Sequence, residues 1–189
     1  MVSVRLFLAV TATDVPTLSR EQARSFYDRF GAKQDQQGFY ENAAIRDLLA
    51  HAGFEAAQAV CEVGCGTGRF AETLLEAHLP ETARYAGWDV STTMVDLTRQ
   101  RLARFAGRAE VFHTDGSPRL PAADATFDRV VSNYVLDLLS LADIRLLLAE
   151  AHRLLTQDGR LCLISLTHGI TLLSRLVIGV WMRVHRLRP

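Results

Sequence analysis

The sequence predicts a three-layer α/β fold, a doubly wound and mostly parallel sheet with helices on both faces. Three observations predict it: five short apolar runs of strand length, helix-length segments between them, and a glycine-rich turn directly after the first run. Strands alternating with helices build βαβ units, and such units assemble into a parallel sheet covered on both sides.

Taken in order, "MVSVRLFLAVTATDVP" has one arginine and a short apolar run but no small-residue cleavage site, so it reads as a lead-in rather than a signal peptide. "SREQARSFYDRF", residues 19–30, reads as a helix capped by Ser19, with Gln22 three residues on as in a capping box and Gly31 as its stop. A second helix is expected over residues 42–52, with Ile45, Leu48 and Leu49 on one face and Gly53 ending it. "QAVCEV" is the first strand, residues 69–78 a helix, "RYAGWDV" the second strand, and residues 92–105 a helix carrying Met94, Val95, Leu97 and Leu102. "AEVFH" and "FDRVVSNY" are the third and fourth strands, residues 144–154 a helix, and "GRLCLISL" the fifth strand. The remaining "ITLLSRLVIGVWMRVHRL" reads as one more helix; its apolar run is interrupted by Arg175 and falls short of the ~20 residues a membrane span needs.

Composition narrows the function classes. In 189 residues, Lys plus Arg and Asp plus Glu are equal at 21 each, which argues against a nucleic-acid partner because phosphate neutralisation leaves a basic surplus. Cys61, Cys65 and Cys162 are odd in number, lie in apolar or glycine-rich contexts and lack CxxC spacing. They read as reduced thiols in a cytoplasmic protein, not as a disulfide framework or a metal site.

The chemistry centres on "AVCEVGCGTGRF", residues 59–70, where Gly64, Gly66 and Gly68 alternate after Glu62. Glycine permits φ > 0 and removes the Cβ that would meet a ligand, and a turn between a first strand and a helix is where open α/β sheets bind nucleotide-like molecules. The dinucleotide fingerprint would need glycine at position 69, where Arg69 stands, and the Walker pattern is absent, so neither NAD nor ATP is favoured.

These residues resemble the first motif of the class I S-adenosylmethionine-dependent methyltransferases, an acidic residue, a spacer and then G-x-G-x-G. "YAGWDVSTTM", "HTDGSPRLPAADATFDRVVSNYVLDLL" and "AHRLLTQDGRLCLIS" resemble the later motifs in the right order, so the likeness covers residues 20–168. The resemblance implies a Rossmann-like sheet of strand order 3-2-1-4-5 and S-adenosyl-L-methionine as cofactor. It implies that Glu62 and the loop of Gly64, Cys65, Gly66 and Gly68 hold the methionyl end, that Asp89 with Val90 holds the ribose, that Asp115 with Gly116 holds the adenine amine, and that Asn133 stands near the methyl group. Met94 is a candidate adenine wall. The bland alternatives stay open: Asp89 before Ser91 and Asp115 before Gly116 are also turn or cap signals, and Met94 also fits a plain core position. Glu62 in an apolar strand is harder to explain that way, since a buried carboxylate needs partners.

Methyl transfer is an in-line displacement in which the protein chiefly positions and desolvates, so the sequence names the donor better than the acceptor. "SNYVLD" lacks the Pro-Pro-Tyr stretch of enzymes that methylate base amines, and the pattern is closest to small-molecule methyltransferases, which implies a small or lipid-like acceptor. His168, after the fifth strand, is the candidate general base, with a surface turn as its alternative. Tyr27, Tyr40 and Tyr134 are candidate pocket residues, whereas His51, His78, His113 and His152 read as solvated or helix-end residues. The chain 1–189 then reads as one domain: a helical lid segment over 1–55, a cofactor-binding core over 56–168 and a terminal helix over 169–189. That layout implies a sheet without the family's closing hairpin, and the arginine-bearing terminal helix is a candidate for peripheral membrane contact. The competing functions are an active methyltransferase, a binding module or shortened homologue that transfers nothing, and a disfavoured NAD-dependent oxidoreductase.

Overall fold

The computed structural model describes residues 19–117 and 119–165, with backbone alone over residues 36–41. His168, the lead-in and the terminal helix lie outside the described residues, as does the Tyr40 side chain, and so does the stretch on which the expected lack of a closing hairpin turns. The apolar runs become β1 (Ala59–Val63), β2 (Arg84–Asp89), β3 (Ala109–His113), β4 (Phe127–Asn133) and β5 (Leu155–Ile164), one sheet in the order β3-β2-β1-β4-β5. Every neighbouring pair is parallel, as the sequence predicts. Around it lie α1 (Arg20–Phe30), α2 (Gly38–His51), α3 (Arg69–Ala77), α4 (Thr92–Arg101) and α5 (Leu141–Leu154).

Strand side chains alternate between faces, so consecutive residues of one strand enter different cores. Val60 and Val131 join Tyr85 and the α3 residues Phe70, Ala71, Leu74 and Leu75 in one cluster. Their neighbours Cys61 and Val130 join Trp88, Phe127 and the α5 residues Ala151 and Leu154 in the other. Both faces are covered, which is why consecutive residues such as Val60 and Cys61 in β1 and Val130 and Val131 in β4 are all apolar and buried. The three cysteines are free and buried.

Helix starts follow their caps. Ser19 forms the expected capping box with Gln22, and Ser91 accepts from the Met94 N–H. Ser140 caps α5, accepting from the Asp143 N–H and donating to its carboxylate, so the helix begins three residues before the expected position 144. Gly31 ends α1 as expected, but the chain continues through a 3-10 helix, Gly31–Gln37, and α2 opens at Gly38 rather than 42. The helix expected over 92–105 stops at Arg101 and finishes as a 3-10 turn, Ala103–Phe105. The turn expected before the fifth strand is absorbed into it: β5 starts at Leu155, and its register jumps from Phe127↔Leu155 to Arg129↔Arg160, so the surplus residues form an irregularity instead of a loop.

Parallel order brings the C-terminal ends of β1, β2 and β4 together, with Val63 beside Trp88 and Glu62 beside Val131. Ligands of open α/β sheets bind at this edge, where the strand order reverses between its two halves.

Candidate functional site

The turn between β1 and α3 is held by backbone. Gly64 and Cys65 both donate their N–H to the Trp88 carbonyl, at 2.8 and 3.1 Å. Gly64, Gly66 and Gly68 all have positive φ, from 54° to 78°. The groups that exclude a side chain there belong to the protein itself. A Cβ on Gly64 would stand 2.4 Å from Val135 Cγ2, one on Gly66 2.9 Å from Gln34 Oε1, and one on Gly68 2.7 Å from Thr98 Cγ2 and 3.1 Å from Thr98 Cα. Gly68 also serves as the N-cap of α3 without a side-chain hydrogen bond, leaving first-turn N–H groups for other partners.

Two carboxylates flank this turn. Glu62 is 2 % exposed, and its Oε2 accepts a 2.6 Å hydrogen bond from the Tyr85 hydroxyl. Tyr85 reaches it by lying over Gly87, where a Cβ would meet the Tyr85 oxygen at 2.8 Å; a glycine inside a strand marks such a close approach. Burial raises the Glu62 pKa to about 8 and the Asp89 charge adds to this, while the Tyr85 hydrogen bond and, more weakly, the Asn133 amide oppose it. Asp89, at the end of β2, is pinned through both oxygens: Oδ2 accepts from the Gly66 N–H and Oδ1 from the Ser91 N–H, each at 2.9 Å. Burial raises its pKa despite these bonds.

The end of β4 is built differently. Both polar atoms of the Asn133 amide are buried without a well-formed hydrogen bond, although the amide lies close enough to Glu62 to favour its ionised form. Tyr134 follows with φ 58°, a left-handed conformation uncommon for a bulky residue, and Val135 then packs on Gly64. Asp137 accepts from the Ser165 hydroxyl through Oδ1, whereas its Oδ2 is buried and unpartnered.

The N-terminal helices close over the turn. Asp28 accepts from the Ser91 hydroxyl at 2.6 Å, which holds its pKa below the usual range. Asp35 accepts from the Thr67 hydroxyl and from Arg101 Nη2, each at 2.6 Å, and these bonds outweigh burial to keep its pKa low. Arg69, the residue that breaks the dinucleotide fingerprint, reaches back to the Asp35 carbonyl and the Asn42 side chain. Gln34 Oε1 is buried and unpartnered at Gly66.

Between these elements lies a cavity of about 370 Å³. Of the sequence-predicted residues, Glu62, Gly64, Cys65, Gly66, Asp89, Val90, Gly116 and Asn133 line it, together with Tyr27 and Tyr134. Gly68 lies outside the wall as the cap of α3. Met94 is fully buried and stands in core rather than wall. Asp115 is exposed, and its carboxylate accepts from the Ser117 N–H, so it shapes a turn whose Thr114, Gly116 and Ser117 reach the cavity in its place. Of the histidines expected to be solvated or at helix ends, His51, His113 and His152 are exposed and His78 caps the C-terminus of α3. Sequence reasoning missed Tyr85, Gln34, Asp35 and Asp137; of these, only Tyr85 had a signal, the glycine two residues on.

A methyltransferase domain family model matches residues 60–159. Over 175 residues the chain is 26% identical to malonyl-[acyl-carrier protein] O-methyltransferase from Erwinia pyrifoliae, covering 92% of this chain and 61% of the relative. Over 148 residues it is 30% identical to a ubiquinone/menaquinone biosynthesis C-methyltransferase from Desulfotalea psychrophila, covering 70% of this chain and 57% of the relative. The chain thus spans about three fifths of the length of these curated relatives. Among solved structures, Haemonchus contortus phosphoethanolamine N-methyltransferase 1, in complex with phosphoethanolamine and S-adenosylhomocysteine, superposes with a TM-score of 0.64 at 25% identity, covering 76% of this chain and 31% of that one.

Proposed function

The chain belongs to the class I S-adenosylmethionine-dependent methyltransferases, and from that premise we propose that its cavity binds S-adenosyl-L-methionine and passes the methyl group to a small-molecule acceptor. The observation that carries this reading is the fixing of Asp89 by the Gly66 and Ser91 backbone at the mouth of the glycine turn. Each of its oxygens has a second lone pair for a ribose hydroxyl, so the residue is oriented without being used up.

The remaining donors and acceptors fit the same molecule. The unpartnered Asn133 amide and the buried Glu62 carboxyl suit the carboxylate and ammonium of an amino-acid end. Val90 and the 114–117 turn offer an apolar surface and backbone groups for the adenine, with Asp115 setting the turn. Bound there, the cofactor supplies an electrophilic methyl carbon on a cationic sulfonium. The chain's own part is to hold that cation beside carboxylates, exclude water and orient the acceptor. Among the described residues no helix is long and apolar enough to cross a membrane, and the buried free cysteines suit a reducing compartment.

Calorimetric titration with S-adenosylmethionine tests this. Wild-type chain should bind, and Asp89→Ala should lose on the order of 100-fold in affinity through its hydrogen bonds to the ligand. Because the alanine leaves the Gly66 and Ser91 N–H groups bare, Asp89→Asn is the companion variant, expected to bind with intermediate affinity. Unchanged affinity in folded Asp89→Ala would overturn the assignment of the pocket.

A further inference from the structure

The cavity continues beyond the glycine turn into the connection between β4 and α5, and its charges are unevenly matched. Six carboxylate residues line it, Asp35, Glu62, Asp89, Asp137, Asp143 and Glu150, against Arg20 and Arg69. Three of the acids are paired with guanidiniums: Asp35 with Arg101, Asp143 with Arg20, and Glu150 with Arg153. Glu62 is served by the Tyr85 hydroxyl and Asp89 by two backbone N–H groups. Asp137 is the exception. The Ser165 hydroxyl fixes Oδ1, leaving Oδ2 buried, unpartnered and without a cation among the described residues.

A buried carboxylate oxygen with no donor is costly, and such atoms call for an explanation. The fold supplies one by placement. Val135 seats the 134–139 segment against Gly64, so Asp137 shares the cavity with the glycine turn. Leu138, Leu139, Leu147 and Leu120 line the same cavity and make that part of it apolar.

We propose that Asp137 Oδ2 receives the methyl acceptor, and that the acceptor is an uncharged molecule presenting an O–H or N–H donor on an apolar body. This rests on the donor-site reading above. An anionic acceptor, a free carboxylate for instance, would bring a like charge beside the Asp137 carboxylate and still leave Oδ2 without a proton to accept, so the site selects against it. Asp137 then decides which acceptors enter, independently of the groups proposed to hold the donor.

The test is calorimetry on the full chain saturated with S-adenosylhomocysteine, using 1-naphthol and 1-naphthoate as probes of one shape and two charges. Wild type is expected to bind the naphthol at least about tenfold more tightly than the naphthoate, the scale of one hydrogen bond to a charged group. Asp137→Asn, which keeps the shape and removes the charge, should bring the two probes to within about twofold while leaving S-adenosylhomocysteine affinity unchanged. Ser165→Ala, which leaves Oδ2 in place, should retain the preference. Equal affinities in wild type, or an undiminished preference in Asp137→Asn, would overturn the inference and leave the donor site standing. Failure of wild type to bind S-adenosylhomocysteine would overturn the donor-site reading and this inference with it.

Discussion

The two sides of the cavity are made of different material. On the β1–β2 side, position is set by main chain: Gly64 and Cys65 donate to the Trp88 carbonyl, and Asp89 is gripped by the Gly66 and Ser91 N–H groups. On the β4–α5 side, the wall is made of side chains, and the polar ones, Asn133 and Asp137, carry buried atoms with no partner. Buried atoms without a partner occur on both sides, Gln34 Oε1 at Gly66 and Trp88 Nε1 on β2 as well as those of Asn133 and Asp137, so the sides differ in what fixes them rather than in completeness. A main-chain site depends on glycine spacing and φ, so it has a rigid local sequence signature. A side-chain site can be changed residue by residue, which suits the acceptor contact proposed for Asp137.

The largest expected effect falls on the one strained group of the main-chain side. Glu62 keeps its proton in the folded state up to about pH 8, while its ordinary value is 4.5. Between those values the folded chain binds more protons than the unfolded chain, so stability falls as pH rises, by up to about 1.4 kcal/mol per pH unit, and levels off above 8. Asp89, also raised, contributes with the same sign over the lower part of the window. Urea denaturation at pH 5, 6.5 and 8 should show this slope, and Glu62→Gln should flatten it. A slope that survives the substitution would mean that the Glu62 carboxyl is ionised or solvated in the fold, and the contrast between the two sides would lose its clearest term.

Second in size is Gly68→Ala. At φ 77° an L-residue pays about 1–2 kcal/mol, and the new Cβ would meet the Thr98 side chain at 2.7 Å and its Cα at 3.1 Å. Thr98 cannot simply turn away, because its hydroxyl donates to the Gly66 carbonyl at 2.6 Å. Moving α4 adds overpacking strain, and a total loss of about 2–4 kcal/mol is expected in a thermal melt. A loss under about 1 kcal/mol would show that the turn is softer than its hydrogen bonds imply.

The same contrast explains what could be read in advance. The order of strands, the glycine turn, Asp89 and Asn133 are legible because βαβ alternation and motif spacing are short-range. Tyr85 was legible only through Gly87, since its reach to Glu62 is a tertiary fact. Asp35 and Arg101 meet across 66 positions and Asp137 and Ser165 across 28, and no local pattern announces such pairs. Met94 and Asp115 stand where motif reading puts cofactor contacts, yet packing took one into the core and a turn took the other's carboxylate. The boundary of β5 was missed for a related reason: the Gly159 turn signal is real, but the strand pairs on both sides of it, Leu155 with Phe127 and Arg160 with Arg129, and takes up the surplus residues as an irregularity.

The smallest stability effect is expected where the side-chain half is emptiest, and it sharpens the comparison most. Asn133 sits at the end of β4 with both amide atoms buried and no well-formed hydrogen bond, so its polarity is a cost whose one return to the fold is its influence on the Glu62 carboxyl. Asn133→Val removes that cost and places a β-branched residue on a strand. Stability should therefore stay within about 0.5–1 kcal/mol of wild type or rise, whereas affinity for S-adenosylmethionine should fall, because the amide is there for the ligand. A melt and a titration on the same preparation decide it. If Asn133→Val were both less stable by more than about 1 kcal/mol and unchanged in binding, the amide would serve the fold through Glu62 rather than the ligand, and the β4 side would owe its position to internal bonds as the glycine turn does.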